Sequence, residues 1–431
     1  MSDIFQVDKL AKMNPRLLRL KEYLITNVST RMQDQPAAKI QDREAVRQML
    51  VKVFEATKEE ASSEIREVVI ASALADLVGY GPLEHLLSDP EISEIMVNGA
   101  SQVFIERNGE LLETDVKFEN DAHLLRIIDR IVSPLGRRVD ADNPTADARL
   151  PDGSRVNVII PPVAVDGPHL TIRKFLQTKI SMDDLVAMDA LTPYMSKFLE
   201  ACVITRLNIL VTGNTSSGKT TVLNALSGFI PEKERIVTIE DAVELKLKQR
   251  HVVRLETKNP SLDGVGAVNV RDLVKNALRM RPDRIVVGEV RGGEAMDMLQ
   301  AMNTGHTGSL TTLHANSPRD GISRLETMCM MAGLDLPLLA IRKQIAAAVN
   351  LIVHLNRLSD GSRRMTHITE LSGMEGDVVT LTDIFKFEQT GVTPEGRIVG
   401  QVRPTGMRPL FTPRLEASGF KLGGEIFGAG L

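Results

Sequence analysis

At 431 residues the chain is long enough for about two or three domains, and a net charge of −4 with a pI near 6.1 gives no global case for a nucleic-acid binder, although a locally basic channel stays open. Hydrophobic residues make up 43% and aromatics 3%, with no Trp, so the cores must be built from Leu, Ile, Val, Ala and Met. Cys202 and Cys329 are too few for a disulfide framework or a zinc site. The polar N-terminus lacks a signal-peptide pattern, and no apolar run approaches the ~20 residues needed to span a bilayer. The chain reads as cytosolic, with any membrane role exerted through partners.

Residues 1–42 mix charge, Gln and Met without clean periodicity and read as a flexible segment, in which "NPRLLRLKEYLI" makes at most a short helix. Residues 43–82 form a helical module: Val46, Met49, Leu50, Val53 and Phe54 repeat on one face, followed by Ile65, Val68, Val69 and Leu77. Residues 83–175 read as a small α+β domain. Its strands are expected at 94–98, 103–106, 155–160 and 170–173, with an Asn108-Gly109 hairpin turn, an apolar run at 116–118 and a helix over 123–135. Charge concentrates in its loops, at 137–138, 147–149, 152–155 and 173–174. A linker at 176–190 leads to an α/β domain over 191–387, where strands and helices alternate. Residues 388–431 are a Gly- and Pro-rich tail, either a β-rich appendage or a partly ordered extension.

The stretch "NILVTGNTSSGKTTVLNALSG" carries the chemistry. An apolar strand at 209–211 precedes a complete GxxxxGK[ST] pattern from Gly213 to Thr220, and a helical pattern follows. Gly213, Asn214, Thr215, Ser216, Ser217 and Gly218 curl so that backbone amides cradle a phosphate, with Thr221 just inside the helix. Lys219 would reach the β- and γ-phosphates of a nucleoside triphosphate, and Thr220 offers a hydroxyl to Mg2+. Two more strands end in acids. Glu289 closes 284–289 and is a candidate for holding Mg2+ or positioning the attacking water. Glu240, with Asp241 beside it, closes 235–240 and is the candidate general base. The block 304–315 places His306 and His314 around a hydroxyl-rich strand, with His314 the stronger candidate for reading a γ-phosphate. Arg155 and Arg173, from the preceding domain, are the best candidates for completing the site, ahead of Arg271 and Arg279.

Four blocks in this order resemble a traffic ATPase of the type II/type IV secretion superfamily: 213–220, 238–241, 281–292 and 305–314. More narrowly, "DARLPDGSRVNVIIPP" with "LTIRKF" resembles the Tad/Flp pilus assembly ATPase CpaF, close to the VirB11 branch. The resemblance implies a RecA-like P-loop NTPase domain preceded by a small α+β, PAS-like domain and a helical module. It implies a homohexameric ring with nucleotide between the two domains, Glu240 activating water, Glu289 on Mg2+, His314 sensing phosphate, and Arg155 and Arg173 reaching it. Such a motor hydrolyses ATP to move pilin subunits through inner-membrane platform proteins, is peripheral to the inner membrane, and keeps no stable nucleic acid. The tetracysteine zinc module of many type II members is absent, since no C-x-x-C occurs. The alternatives are a conjugation or type IV secretion channel ATPase, a nucleotide-gated scaffold that does not hydrolyse, and, more remotely, a recombinase or helicase.

Overall fold

The computed structural model describes residues 15–33, 42–57, 59, 61–107, 109–175, 180–258 and 265–428, which fall into two units, Met1–Gln177 and Thr178–Leu431. The first unit opens with α1 (Pro15–Gln33), α2 (Arg43–Ala56) and α3 (Ser63–Val78). Asp42 caps α2, its carboxylate accepting from the Glu44 amide at 3.0 Å, and Ser62 caps α3. The α1 helix corrects the reading of 1–42 as one flexible segment. Leu24, Val28 and Met32 bury against Val46, Leu50, Val53, Val69 and Ile70, an apolar spacing that the surrounding charge obscured. The rest of that segment, apart from Asp42, lies outside the described residues. A buried charge network also ties α1 down: Lys21 Nζ stands 2.5 Å from Asp76 and 3.2 Å from Glu119, and His123 Nε2 is 3.5 Å from Asp76.

After α4 (Glu84–Ser88), the unit builds an antiparallel sheet from β1 (Ile92–Asn98), β2 (Val103–Arg107), β3 (Glu110–Glu113), β4 (Thr145–Arg149), β5 (Arg155–Ile159) and β6 (His169–Arg173), in the order β3-β2-β1-β6-β5-β4. The amphipathic α5 (Asp121–Val132) lays Leu124, Ile127, Ile128 and Ile131 on its core. Here β4 replaces the expected charged loop at 147–149. The 116–118 run forms no strand, though Val116 and Phe118 are buried in the same core. Asn108 lies outside the described residues.

The second unit has α6 (Met182–Ala187), α7 (Pro193–Ile204), β7 (Ile209–Gly213), α8 (Lys219–Ser227), β8 (Ile236–Glu240), β9 (Val252–Glu256), α9 (Val270–Ala277), β10 (Arg284–Val287), α10 (Glu294–Asn303), β11 (Leu310–His314), α11 (Pro318–Met330), α12 (Leu338–Ala348), β12 (Leu351–Arg357), β13 (Arg363–Glu375), β14 (Val378–Val392), β15 (Ile398–Pro404) and α13 (Thr412–Ala417). They form a nine-stranded sheet, β15-β14-β13-β12-β7-β11-β10-β8-β9. From β12 to β9 all neighbours are parallel, and β13 to β15 add on antiparallel. Strand β7 is buried throughout. Ile209 and Val211 face a core with α7 and α8, and Leu210 faces one with α9 to α12, as a parallel strand covered on both sides must.

The expected tail boundary at 387/388 cuts through β14, and the tail is part of the fold. Phe411 and Phe427 pack on Phe198 of α7, with ring centroids at 6.2 and 6.0 Å, and Arg414 donates to the last carbonyls of that region, Thr205 O and Arg206 O, at 2.9 and 2.8 Å. Among the described residues no helix is long and apolar enough to cross a membrane. Phe427 is 1% exposed, so Phe427→Ala is expected to lower the stability of the second unit by about 3 kcal/mol in urea unfolding. An unchanged midpoint would show the tail to be dispensable packing.

Candidate functional site

Parallel strands send their C-terminal ends to one edge of the sheet, and there the structure gathers β7, β11, β10 and β8 side by side. At ~4.8 Å per strand, His314 stands one strand from the P-loop strand, Glu289 two and Glu240 three. Gly213 cannot be another residue, because a Cβ there would lie 2.4 Å from Leu355 O and 2.6 Å from Ser217 Oγ. Gly218 starts α8 at φ 94. Inside the loop Asn214 O is a hub, accepting from Ser217 Oγ at 2.8 Å and from Lys219 Nζ at 2.9 Å. Asn214, Thr215 and Ser216 are exposed at the rim, while Thr220 and Thr221 lie half-buried in the first turn of α8. This curled loop with a lysine folded into it at a helix N-terminus fits a triphosphate with its Mg2+.

A line of charged groups, with one neutral imidazole in it, runs from the loop along the edge. Lys219 Nζ is 3.5 Å from His314 Nδ1, His314 Nε2 is 2.9 Å from Glu289 Oε1, Glu289 Oε2 accepts from Arg291 Nη2 at 2.5 Å, and Arg291 Nη1 is 3.6 Å from Asp241. An ammonium can only donate, so Nδ1 accepts and the imidazole proton sits on Nε2, the nitrogen nearer Glu289. Burial, with Lys219, Arg291 and Arg324 nearby, outweighs Glu289 and lowers the His314 pKa below its usual value, which keeps this ring neutral. Arg291 is raised by its hydrogen bond to Glu289.

Glu240 is 3% exposed, and its Oε1 accepts from the amides of Glu244 and Leu245 at 2.8 and 3.0 Å. Its side chain lies over Gly288, where a Cβ would come within 2.9 Å of Glu240 Cγ, so the glycine before Glu289 makes room for Glu240. His306 lies at the opposite edge, before the first residue of β11. Gly308 beside it accommodates the fully buried Arg284, which donates to Glu234 at 2.5 Å. Arg271 is tied to Asp297 at 2.7 Å and to Ala332 O, and with Asn269, Arg291 and Met331 it lines an open cleft of about 540 Å³. Arg279 is exposed.

In the first unit, Arg155 pairs in register with Arg149 on one side and Arg173 on the other, and Arg173 pairs with Glu94. The turn between β4 and β5 sets this register: Asp152 accepts from Ser154 N and Oγ at 2.9 and 2.8 Å, and Gly153 takes φ 92. Three arginines therefore stand side by side across β4, β5 and β6, with Glu94 beyond Arg173. Two residues of the second unit escaped the sequence reading. Arg291 had a signal, two positions after Glu289, whereas Arg363, whose Nε donates to Ser216 O at 2.8 Å, had none.

A family model described as "Type II/IV secretion system protein" matches residues 76–392. A Mycobacterium tuberculosis protein provisionally named for conjugal transfer is 38% identical over 313 residues, 71% of this chain and 88% of its own length. The type IV secretion system protein PtlH of Bordetella pertussis is 36% identical over 304 residues, 64% of this chain and 89% of its own. The VirB11 ATPase from the Brucella suis type IV secretion system is 29% identical, covering 67% of this chain and 95% of that one, with a TM-score of 0.38. None of these singles out the pilus-assembly branch.

One titration beside the site is open to measurement. His354 on β12 is fully buried, with Nδ1 2.8 Å from Thr212 Oγ1 on the P-loop strand and its ring 5.9 Å from His367. Burial, helped by His367, pushes its pKa down to about 4. The unfolded chain therefore takes up this proton near pH 6.5, before the native state does, and stability falls as pH drops from there towards 4. The loss is on the order of 3 kcal/mol. Unfolding across that window should show His354→Asn with a flatter pH dependence than wild type. Parallel curves would remove His354 as the source.

Proposed function

The chain belongs to the type II/IV secretion system protein family, a family of ATP-hydrolysing secretion and pilus motors, and from that premise we propose that it drives a membrane transfer apparatus of the conjugation and type IV secretion kind. The observation that carries the motor reading is the charged line from Lys219 through His314 and Glu289 to Arg291, laid over a complete P-loop. The names of the relatives support the transfer apparatus.

Bound Mg2+ would neutralise phosphate oxygens, held by Thr220 and Glu289. The chain's own groups do the rest. Lys219 holds the β- and γ-phosphates, the loop amides of 213–218 orient them with Thr221 behind, and Glu240 polarises the attacking water. His314 reads the terminal phosphate, and Arg155 and Arg173 supply further positive charge for it. The working form is a homohexameric ring on inner-membrane platform proteins, peripheral to the membrane, with no stable nucleic acid. A Tad/Flp-type pilus is the second reading, and the sequence of the β4–β5 hairpin, "LPDGSRVNV", favours it.

Glu289→Ala should reduce ATP turnover of the purified ring by about 10²-fold. Equal, negligible turnover in both proteins, at a ring-forming concentration and with partners present, would sink the enzyme reading. In cells the same substitution should abolish conjugal transfer or secretion while surface fibres persist, and the reverse pattern selects the pilus. Arg155→Ala should lower turnover about tenfold or more while native mass spectrometry shows the ring intact. An unchanged rate refutes its role.

A further inference from the structure

The antiparallel strands at the end of the chain touch the P-loop at one point. The turn at 358–362 between β12 and β13 brings Arg363, 147 residues further along the chain, against Ser216, whose carbonyl accepts from Arg363 Nε at 2.8 Å. Ser216 is one of the few residues other than glycine held at positive φ, at 58°, a region that L side chains avoid. The turn is itself braced. Asp360 Oδ1 accepts from Ser362 N and Oγ at 3.0 and 2.6 Å, and Oδ2 accepts from the Ile398 amide at the start of β15 at 2.8 Å. Hydrogen bonds from Ser362 and Ile398 hold the Asp360 carboxyl down to about 2, so this brace is permanent at any working pH.

We propose that Arg363 is a positioning residue that holds the P-loop in its phosphate-ready curl by pinning the peptide plane between Ser216 and Ser217. A peptide is planar, so fixing its carbonyl fixes the amide on the other side. That amide, Ser217 N, donates to Asn214 O at 3.3 Å, and Asn214 O also receives Lys219 Nζ at 2.9 Å. The clasp therefore runs from β15 through Asp360 and Arg363 to the anchor of the phosphate-binding lysine. Nucleotide affinity is set partly by the strands beyond β12. This inference rests on the reading of residues 213–220 as a nucleotide cradle.

The test is equilibrium binding of a fluorescent non-hydrolysable ATP analogue to the full chain, as a double-mutant cycle. Arg363→Ala should weaken binding about tenfold, with an unchanged thermal midpoint because the side chain is exposed. In a Ser216→Gly background, where positive φ carries no penalty, the same substitution should cost less than about twofold, whatever Ser216→Gly does by itself. A tenfold loss that persists in the glycine background would show that the guanidinium acts on the nucleotide, and would overturn the proposal. Equal binding by wild type and Arg363→Ala overturns it too, leaving the nucleotide reading intact. Failure of the wild type to bind the analogue removes both.

Discussion

The site depends on one buried ammonium. Lys219 is 8% exposed, and a cation at that depth must be paired or its burial costs several kcal/mol. Two of its partners are Asn214 O and His314 Nδ1. The first curls the loop around the lysine. The second fixes the tautomer of the histidine, because a donor-only ammonium leaves the imidazole proton no place but Nε2. That nitrogen stands 2.9 Å from one carboxylate oxygen of Glu289, whose other oxygen accepts from Arg291. The protonation pattern of the whole edge thus follows from where one lysine sits.

That pattern needs the strand order. His314 can stand between Lys219 and Glu289 only because β11 lies between β7 and β10, all parallel. Two glycines let the strand ends pack this closely: Gly213 against Leu355 O, and Gly288 beneath Glu240. The antiparallel strands on the far side of β7 close the loop from its other flank, and Phe411 and Phe427 fasten the end of the chain to α7.

Much of this was legible in the sequence, for identifiable reasons. The parallel core declares itself through short runs rich in Ile, Val and Leu, with Thr in two of them, that end in Gly, Glu or His, so 209–213, 284–289 and 310–314 could be placed. Strand β4 was not, because Thr145–Arg149 alternates small and charged residues on a half-exposed edge and looks like a loop. Helix α1 was obscured because its buried stripe includes Lys21, which is inside only because Asp76 and Glu119 meet it. The outer part of β14 is exposed Gln, Thr and Gly, held by its pairing with β15, and nothing local announces it. Motif spacing gathers groups along one chain segment. Arg363 reaches the loop through a strand pairing, and no spacing rule contains it.

The same geometry constrains how a phosphate could be read. His314 is neutral with its single proton on Nε2, so Nδ1, the nitrogen toward Lys219, has no proton to give a γ-phosphate. An anion entering the loop competes for Lys219 first. As the ammonium turns to it, Nδ1 loses its donor, the tautomer is no longer fixed, and the proton need not stay on Nε2 beside Glu289. Glu289 would then be held chiefly by Arg291, whose guanidinium also stands by Asp241. With His314 neutral, opposite charges meet directly only from Glu289 to Arg291 and from Arg291 to Asp241, so negative charge added at Lys219 reaches them through the histidine.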